Sequence, residues 1–219
     1  MAPSQFALLC ALTSSLVLLA GIAILWRHSI PAYIDSFARQ SFFLALATLV
    51  VAAGSGTREL YLVAALVFVV KVLVIPRLLH RVLGAVRADL EVHPYVNVPF
   101  SLAIAGLLTM AAYAVADPVM ALSDHPTRSG IPLALAVIFV GLLIVVSRRS
   151  ALTQIVGFLV MENGIALLAV LAAYGIPLIV ELGVFLDVLL GFLVMLVFVH
   201  RIRETFETID VDHLRKLRH

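Results

Sequence analysis

The sequence is poor in charge and contains almost no cysteine. Of its 219 residues, 13% are Asp, Glu, Lys or Arg, 63% are hydrophobic, and one, Cys10, is a cysteine. A water-soluble domain of this length would need a charged surface, so the composition excludes that class and indicates lipid as the main surrounding solvent. A single cysteine also excludes an internal disulfide and any iron–sulfur or cysteine-based metal site built by this chain alone.

Motifs of soluble catalysis are missing as well. The chain has no glycine-rich phosphate loop and no Ser or Cys constellation for nucleophilic catalysis. Its seven histidines fall at span ends, in loops or in the tail, without the spacing of a metal or haem site. We therefore expect no cofactor or metal in this chain, no catalytic centre of its own and no nucleic-acid partner.

Long apolar runs recur along the chain, separated by short polar segments. A spanning helix needs about 20 mostly apolar residues, and continuous rather than alternating runs exclude a strand barrel. The first run lacks a basic segment before it and is too long for a signal peptide, so we expect a retained span. The polar residues 36–41 make the start of the second span the hardest to place. The sequence predicts an all-α integral membrane protein with about seven transmembrane helices, at 6–26, 40–56, 59–79, 98–116, 131–147, 151–173 and 177–200.

The basic residues predict the orientation of these spans. Seven spans place the termini on opposite sides, and twelve Lys or Arg residues then fall on the side of the C-terminus. The other side has two, Arg58 and Arg128. Because cytoplasmic loops carry the excess of positive charge, we expect the N-terminus outside and the C-terminus in the cytoplasm. The longest cytoplasmic connection, 80–97, is compatible either with a helix on the membrane surface or with a solvated connector.

Some ionisable side chains lie inside the predicted spans, where each charge costs at least about 2.5–3.5 kcal/mol. Glu162 and Asp187 each lie 13 residues from a basic cytoplasmic end, which is about 20 Å along a helix. Their helices form an antiparallel hairpin, so the two carboxyl groups are predicted to share one depth. We expect them to take up and release protons. The alternative is that both join helices as neutral acids, with Asn163 or Thr153 as partners.

Two further charges complete the candidate proton pathway. Glu181 lies one turn inside the end of the last span and is a candidate relay residue. Lys71 lies six residues, about 9 Å, from Arg77, so its side chain could either reach the cytoplasmic interface or form a buried ion pair. Gly157 and Gly164 share one helix face and predict close helix packing there.

The last three predicted spans resemble a known family. MENGIALL (161–168) and ELGVFLDVLLG (181–191) are similar to the hydrogenase-4 component E family, a membrane subunit of formate-hydrogenlyase-type group 4 [NiFe] hydrogenases. Residues 131–203 are also similar, more distantly, to subunit K of complex I and to the C component of Mrp-type antiporters. Arg148 and Arg149 match the basic pair of subunit K, and Asp187 with Gly191 matches its last helix. Glu162 is three residues away from the position of the subunit K glutamate.

The resemblance implies a domain organisation and a function. Residues 1–130 are expected to form a four-helix membrane region, residues 131–203 a three-helix subunit K-like region, and residues 204–219 a cytoplasmic tail. The chain is expected to be a non-redox, multi-pass subunit in the inner (plasma) membrane. Antiporter-like subunits, a membrane-anchor subunit and the large and small hydrogenase subunits, which hold the NiFe and iron–sulfur centres, are the implied partners. The alternatives are a purely structural assembly subunit or a component of a Mrp-type cation/proton antiporter.

Overall fold

The computed structural model describes residues 3–85, 95–121 and 125–172. In this part of the chain there is no β-strand. The α-helices are α1 (Pro3–Ile24), α2 (Ile30–Ser55), α3 (Arg58–Val67), α4 (Ile75–Ala85), α5 (Val98–Ala121), α6 (Ile131–Ser147) and α7 (Ala151–Ala172). A π-helix (Phe68–Val74) joins α3 to α4, and a 3-10 helix (Arg128–Gly130) precedes α6.

Six helical segments are long and apolar enough to cross a membrane, with α3, the π-helix and most of α4 counting as one. The chain is therefore an all-α membrane protein. The six segments correspond to the first six predicted spans, whereas the predicted seventh, 177–200, lies outside the described residues. The orientation of the termini stays a prediction.

The second helix begins ten residues earlier than the predicted start at 40. It starts at Ile30, directly before a proline in its first turn, and its last residue is Ser55. Gly56 follows with a φ of 71°, and its N–H donates to the Ala52 carbonyl. Of the polar residues that suggested a boundary, Ser36, Gln40 and Ser41 are buried, whereas Arg39 is exposed. The three buried residues face neighbouring helices rather than lipid, so they do not interrupt the helix.

The third span changes its helical geometry in the middle. The N–H of Ile75 bonds to the carbonyl of Val70, five residues earlier, which closes the π-helix. Pro76 follows directly; it has no N–H to donate, and its ring crowds the carbonyl four residues before it. A widened turn just before this proline accommodates both effects. The helix then continues to Ala85.

Helices α6 and α7 pack against each other at very short range. A Cβ added to Gly141 would lie 2.4 Å from the backbone nitrogen of Met161, and one added to Gly164 would lie 2.7 Å from that of Ile138. At Gly157 the nearest atom would be 2.8 Å away, on Ile144. The close packing predicted from Gly157 and Gly164 is thus confirmed. Helix α2 packs on α1, α3, the π-helix, α4 and α7, so it lies at the centre of the described bundle.

Candidate functional site

A lysine and a glutamate form an ion pair inside the helix bundle. The Nζ atom of Lys71, on the π-helix, lies 3.4 Å from Oε1 of Glu162, on α7. Both side chains are 3% exposed. Their surroundings are the apolar interior of a bundle whose outer face meets lipid, where an isolated charge of either sign would be costly. Each side chain therefore supplies the counter-charge that the other needs.

Neutral polar groups extend from this pair toward α2 and α1. Lys71 Nζ donates to Oδ1 of Asn163 at 3.1 Å. Asn163 Nδ2 donates to Gln40 Oε1 at 3.2 Å and to Ser41 Oγ at 3.0 Å. Gln40 Nε2 in turn donates to the Val17 carbonyl at 3.4 Å. An ammonium group has only donors, so it fixes the orientation of the Asn163 amide and, through it, that of Gln40. The network is therefore consistent in direction from Lys71 to α1.

The backbone of each helix helps to place these side chains. Gly21 on α1 leaves room for Gln40, because a Cβ there would lie 2.7 Å from Gln40 Nε2. Gly164 follows Asn163 directly and holds α7 against α6, as described above. Lys71 is the buried residue of the π-helix. Turns of this kind are found mostly as short insertions in α-helices, frequently at functional sites.

The structure decides between the two interpretations of Lys71 that the sequence left open. Lys71 lies six residues, about 9 Å along a helix, from Arg77. A side chain that reaches the interface is wrong, because Lys71 is 2% exposed and ion-paired with Glu162.

The other sequence-predicted site residues have different outcomes. Asp187 and Glu181 lie outside the described residues, so the shared depth of Asp187 and Glu162 and the relay role of Glu181 stay predictions. Asn163, considered as a helix-joining partner, bonds to Lys71, and Thr153 instead donates to the Ser150 carbonyl at 2.7 Å. Gln40 was not foreseen, because a neutral polar side chain near a span end gives no signal of the face it occupies.

A second buried cation lies where α6 meets α7. Arg148 is 1% exposed. Its Nε donates to the Tyr33 hydroxyl at 2.6 Å, Nη2 to the Leu25 carbonyl at 3.2 Å and Nη1 to the Val96 carbonyl at 3.5 Å. Leu25 lies directly after α1, Val96 lies just before α5, and Arg148 itself lies between α6 and α7. The guanidinium therefore links these three connections to Tyr33 on α2. In contrast, the ring of Tyr95 lies 4.4 Å from Cζ of the exposed Arg149.

The chemistry available at the Lys71–Glu162 pair is proton transfer. A carboxylate and an amine can each hold or release a proton, and a low-dielectric surrounding makes every such change strongly felt by the other partner. Asn163 and Gln40 can hold the two groups in place but cannot change charge. Among the described residues, no three His, Cys, Asp or Glu side chains cluster as metal ligands.

Comparison with known proteins finds relatives that match most or all of the chain. An uncharacterized protein of Mycobacterium tuberculosis is 37% identical over 219 residues, covering 100% of each chain. Hydrogenase-4 component E of Escherichia coli is 28% identical over 160 residues, covering 73% of this chain and 74% of the relative. The Shigella flexneri protein of that name matches to the same extent. No protein-family model and no solved structure matches the chain.

Proposed function

Since the chain belongs to the hydrogenase-4 component E family, we propose that it is a membrane subunit of a hydrogenase complex and that the Lys71–Glu162 pair carries protons within it. The chain holds no redox centre in this proposal; nickel, iron and iron–sulfur clusters belong to the large and small subunits. It lies in the inner membrane between a membrane-anchor subunit and antiporter-like subunits, and it links hydrogen chemistry to proton movement.

The observation that supports the proton role is the buried ion pair itself. Two opposite charges 3.4 Å apart and 3% exposed are expensive to build, because each loses its hydration and the attraction only partly compensates for that loss. Apolar side chains of similar size would often give equal or greater stability. Intramembrane ionisable residues of this kind mark ion pathways and proton relays. A function that needs the charges explains why the helix interface contains them.

The geometry suggests how the pair would work. A proton that reaches Glu162 neutralises the carboxylate and removes the negative charge that lies 3.4 Å from the Lys71 ammonium. The described pair then has a net positive charge in a poorly screened environment, which favours release of a proton to a nearby anion. Asp187, predicted from the sequence to lie at the same depth, is the acceptor we propose. The amide of Asn163, 3.1 Å from Lys71 Nζ, keeps the ammonium in place while Glu162 is neutral.

Membership in the complex is tested by mild extraction from native membranes. A tag on this chain should retain the large and small hydrogenase subunits and antiporter-like chains, identified by mass spectrometry, together with hydrogen-forming or hydrogen-consuming activity. Antiporter-like chains without any hydrogenase subunit or activity would contradict the proposed complex and favour a transporter.

The proton role is tested with Glu162→Gln, which keeps the shape of the side chain and removes its charge. We expect hydrogen turnover in inverted membrane vesicles to continue while the accompanying acidification, followed by a pH-sensitive dye, falls at least about tenfold, a loss of about 1.4 kcal/mol in the transfer step. Glu59→Gln is the matched control, because Glu59 is an exposed carboxylate in the first turn of α3. Full acidification in the Glu162→Gln vesicles would contradict a proton role.

A second candidate, a purely structural subunit, is favoured by the hydrogen bonds of Asn163. This residue on α7 bonds to Lys71 on the π-helix and to Gln40 and Ser41 on α2, so it joins three segments that lie far apart in the sequence. Interhelical hydrogen bonds of this kind in membranes each contribute about 0.6–2 kcal/mol. In a purely structural role, Glu162→Gln would reduce the amount of assembled complex but leave acidification per hydrogen molecule unchanged.

A further inference from the structure

A groove between α1 and α2 lies apart from the ion pair. It has a volume of about 280 Å³. Its apolar part is formed along α1 by Leu16, Leu19, Ala20 and Ala23, with Phe43 opposite on α2. Leu16 and Leu19 are 37% and 60% exposed, so this face of the described bundle is open to its surroundings. In a membrane protein an open apolar face within a spanning segment meets acyl chains.

The end of the groove is positively charged. Arg27 and Arg39 line it together with Ser36. Arg27 Nε donates to Ser36 Oγ at 3.1 Å, and Arg39 Nη2 donates to the same oxygen at 2.7 Å. Two guanidinium groups thus converge on one neutral hydroxyl. Within the part of the chain that the structure describes, neither is paired with a carboxylate, since the adjacent Asp35 instead contacts His80 Nε2 at 2.9 Å.

Two like charges that meet at one neutral oxygen repel each other, and an anion between them would remove this cost. Guanidinium groups bind phosphate oxygens well, because their N–H donors match the geometry of a phosphate. Both arginines are also predicted from the charge distribution to face the cytoplasm, where the membrane leaflet is rich in anionic lipid. The groove therefore offers a phosphate-binding end joined directly to an apolar channel.

We infer that this groove binds an anionic phospholipid, with the phosphate on Arg27 and Arg39 and an acyl chain along Leu16, Leu19 and Phe43. The ligand is a lipid rather than free phosphate, because the apolar channel continues from the charged end toward the middle of α1. Basic pockets between transmembrane helices on the cytoplasmic side are the usual setting for such binding. The Ser36 hydroxyl holds the two guanidinium groups close together for the headgroup.

The single tryptophan of the chain makes the site measurable. Trp26 is 63% exposed and adjacent to Arg27. The full chain is reconstituted into phosphatidylcholine vesicles that contain a minor fraction of brominated phosphatidylglycerol or, separately, of brominated phosphatidylcholine, and quenching of Trp26 fluorescence is measured. We expect the anionic lipid to be preferred near Trp26 by about tenfold, since each arginine near an anionic surface favours binding.

Variants separate this site from general surface charge. Arg27→Gln/Arg39→Gln should reduce quenching by the brominated anionic lipid to that of brominated phosphatidylcholine, whereas Arg27→Lys/Arg39→Lys should retain most of the preference. Arg58→Gln, at the exposed start of α3, should leave it unchanged. Equal quenching by the two lipids in the unmodified chain, or an undiminished preference in the double Gln variant, would overturn the inference. So would loss of the preference on addition of millimolar inorganic phosphate, which would show a free anion as the ligand.

Discussion

Two cations are buried in this membrane protein, and they are held in different ways. Lys71 Nζ lies 3.4 Å from a carboxylate oxygen of Glu162. Glu162 lies about 20 Å along α7 from the basic end of that helix. Arg148 lies at the junction of α6 and α7 and donates to three neutral oxygens, two of them backbone carbonyls. The first cation is paired with a carboxyl group, whereas the partners described for the second are one hydroxyl and two carbonyl oxygens.

This difference separates a site that can change its charge from a structural contact. A guanidinium keeps its proton under all physiological conditions, so Arg148 is suited to join chain segments permanently. Lysine and glutamate can both change protonation state when they are removed from water. The side-chain types therefore fit their positions. The permanently charged Arg148 joins the connections at the ends of the helices. The ionisable Lys71–Glu162 pair lies within the spans.

The largest effect on stability is expected for Lys71→Met. This change leaves the Glu162 carboxylate buried without its ammonium partner, which costs about 3–5 kcal/mol. Protonation of Glu162 relieves this cost, so the loss of stability should become smaller as the pH is lowered. Thermal unfolding of the purified chain in detergent at several pH values measures both effects. A loss of stability that does not depend on pH would contradict an ionised Glu162.

Arg148→Met should have the next largest effect, about 2–3 kcal/mol, because the buried oxygens of Tyr33 and Leu25 lose the donor described for them. The half-buried Val96 carbonyl keeps a bond from Ser101 Oγ. In contrast to Lys71→Met, no carboxylate among the described partners is left unpaired, so the effect should be nearly independent of pH. Arg149→Met is the matched control: Arg149 is exposed, and loss of its contact with Tyr95 should cost less than about 1 kcal/mol. Equal effects of the two substitutions on thermal unfolding would refute a joining role for Arg148.

A smaller effect is expected for Asn163→Leu, which keeps most of the volume but removes the hydrogen bonds to Lys71, Gln40 and Ser41. We expect a loss of about 1–3 kcal/mol in the free energy of unfolding, because the polar partners stay buried without this neighbour. Thr153→Val on the same helix is the control and should cost less, since the bond described for Thr153 is to its own turn. If Asn163→Leu were no more harmful than Thr153→Val, the hydrogen bonds from Asn163 would not hold the helices together.

The sequence predicted the charged members of the site better than their partners. Lys71 and Glu162 were recognisable because each interrupts an apolar run. A buried ion pair was one of two predictions for Lys71, but the sequence did not identify Glu162 as the partner, because the two residues are 91 positions apart. The π-helix, which adds a residue to one turn, has no clear pattern in the sequence apart from the following Pro76. Such local geometry depends on packing against α2.

Neutral polar residues were the other weakness of the sequence argument. Ser36 and Gln40 suggested a helix boundary, because polarity alone does not distinguish a residue at the membrane surface from one that faces another helix. The contacts of Gln40 depend on Asn163, 123 residues further along the chain. Burial of Arg148 likewise depends on carbonyl groups supplied by two distant connections. The apolar runs themselves gave the first six spans directly, since length and hydrophobicity suffice for a spanning helix.

The most direct test of a proton-carrying pair uses Lys71→Met/Glu162→Gln in the intact hydrogenase complex. Among the described residues, the double substitution leaves no unpaired buried charge, so the complex should assemble with near-normal stability, in contrast to Lys71→Met alone. The ratio of protons moved to hydrogen molecules formed or consumed is then measured in inverted vesicles. We predict that hydrogen turnover continues while this ratio falls at least about tenfold, equivalent to about 1.4 kcal/mol. An assembled double variant with an unchanged ratio would contradict the proposal and leave the pair with a structural role.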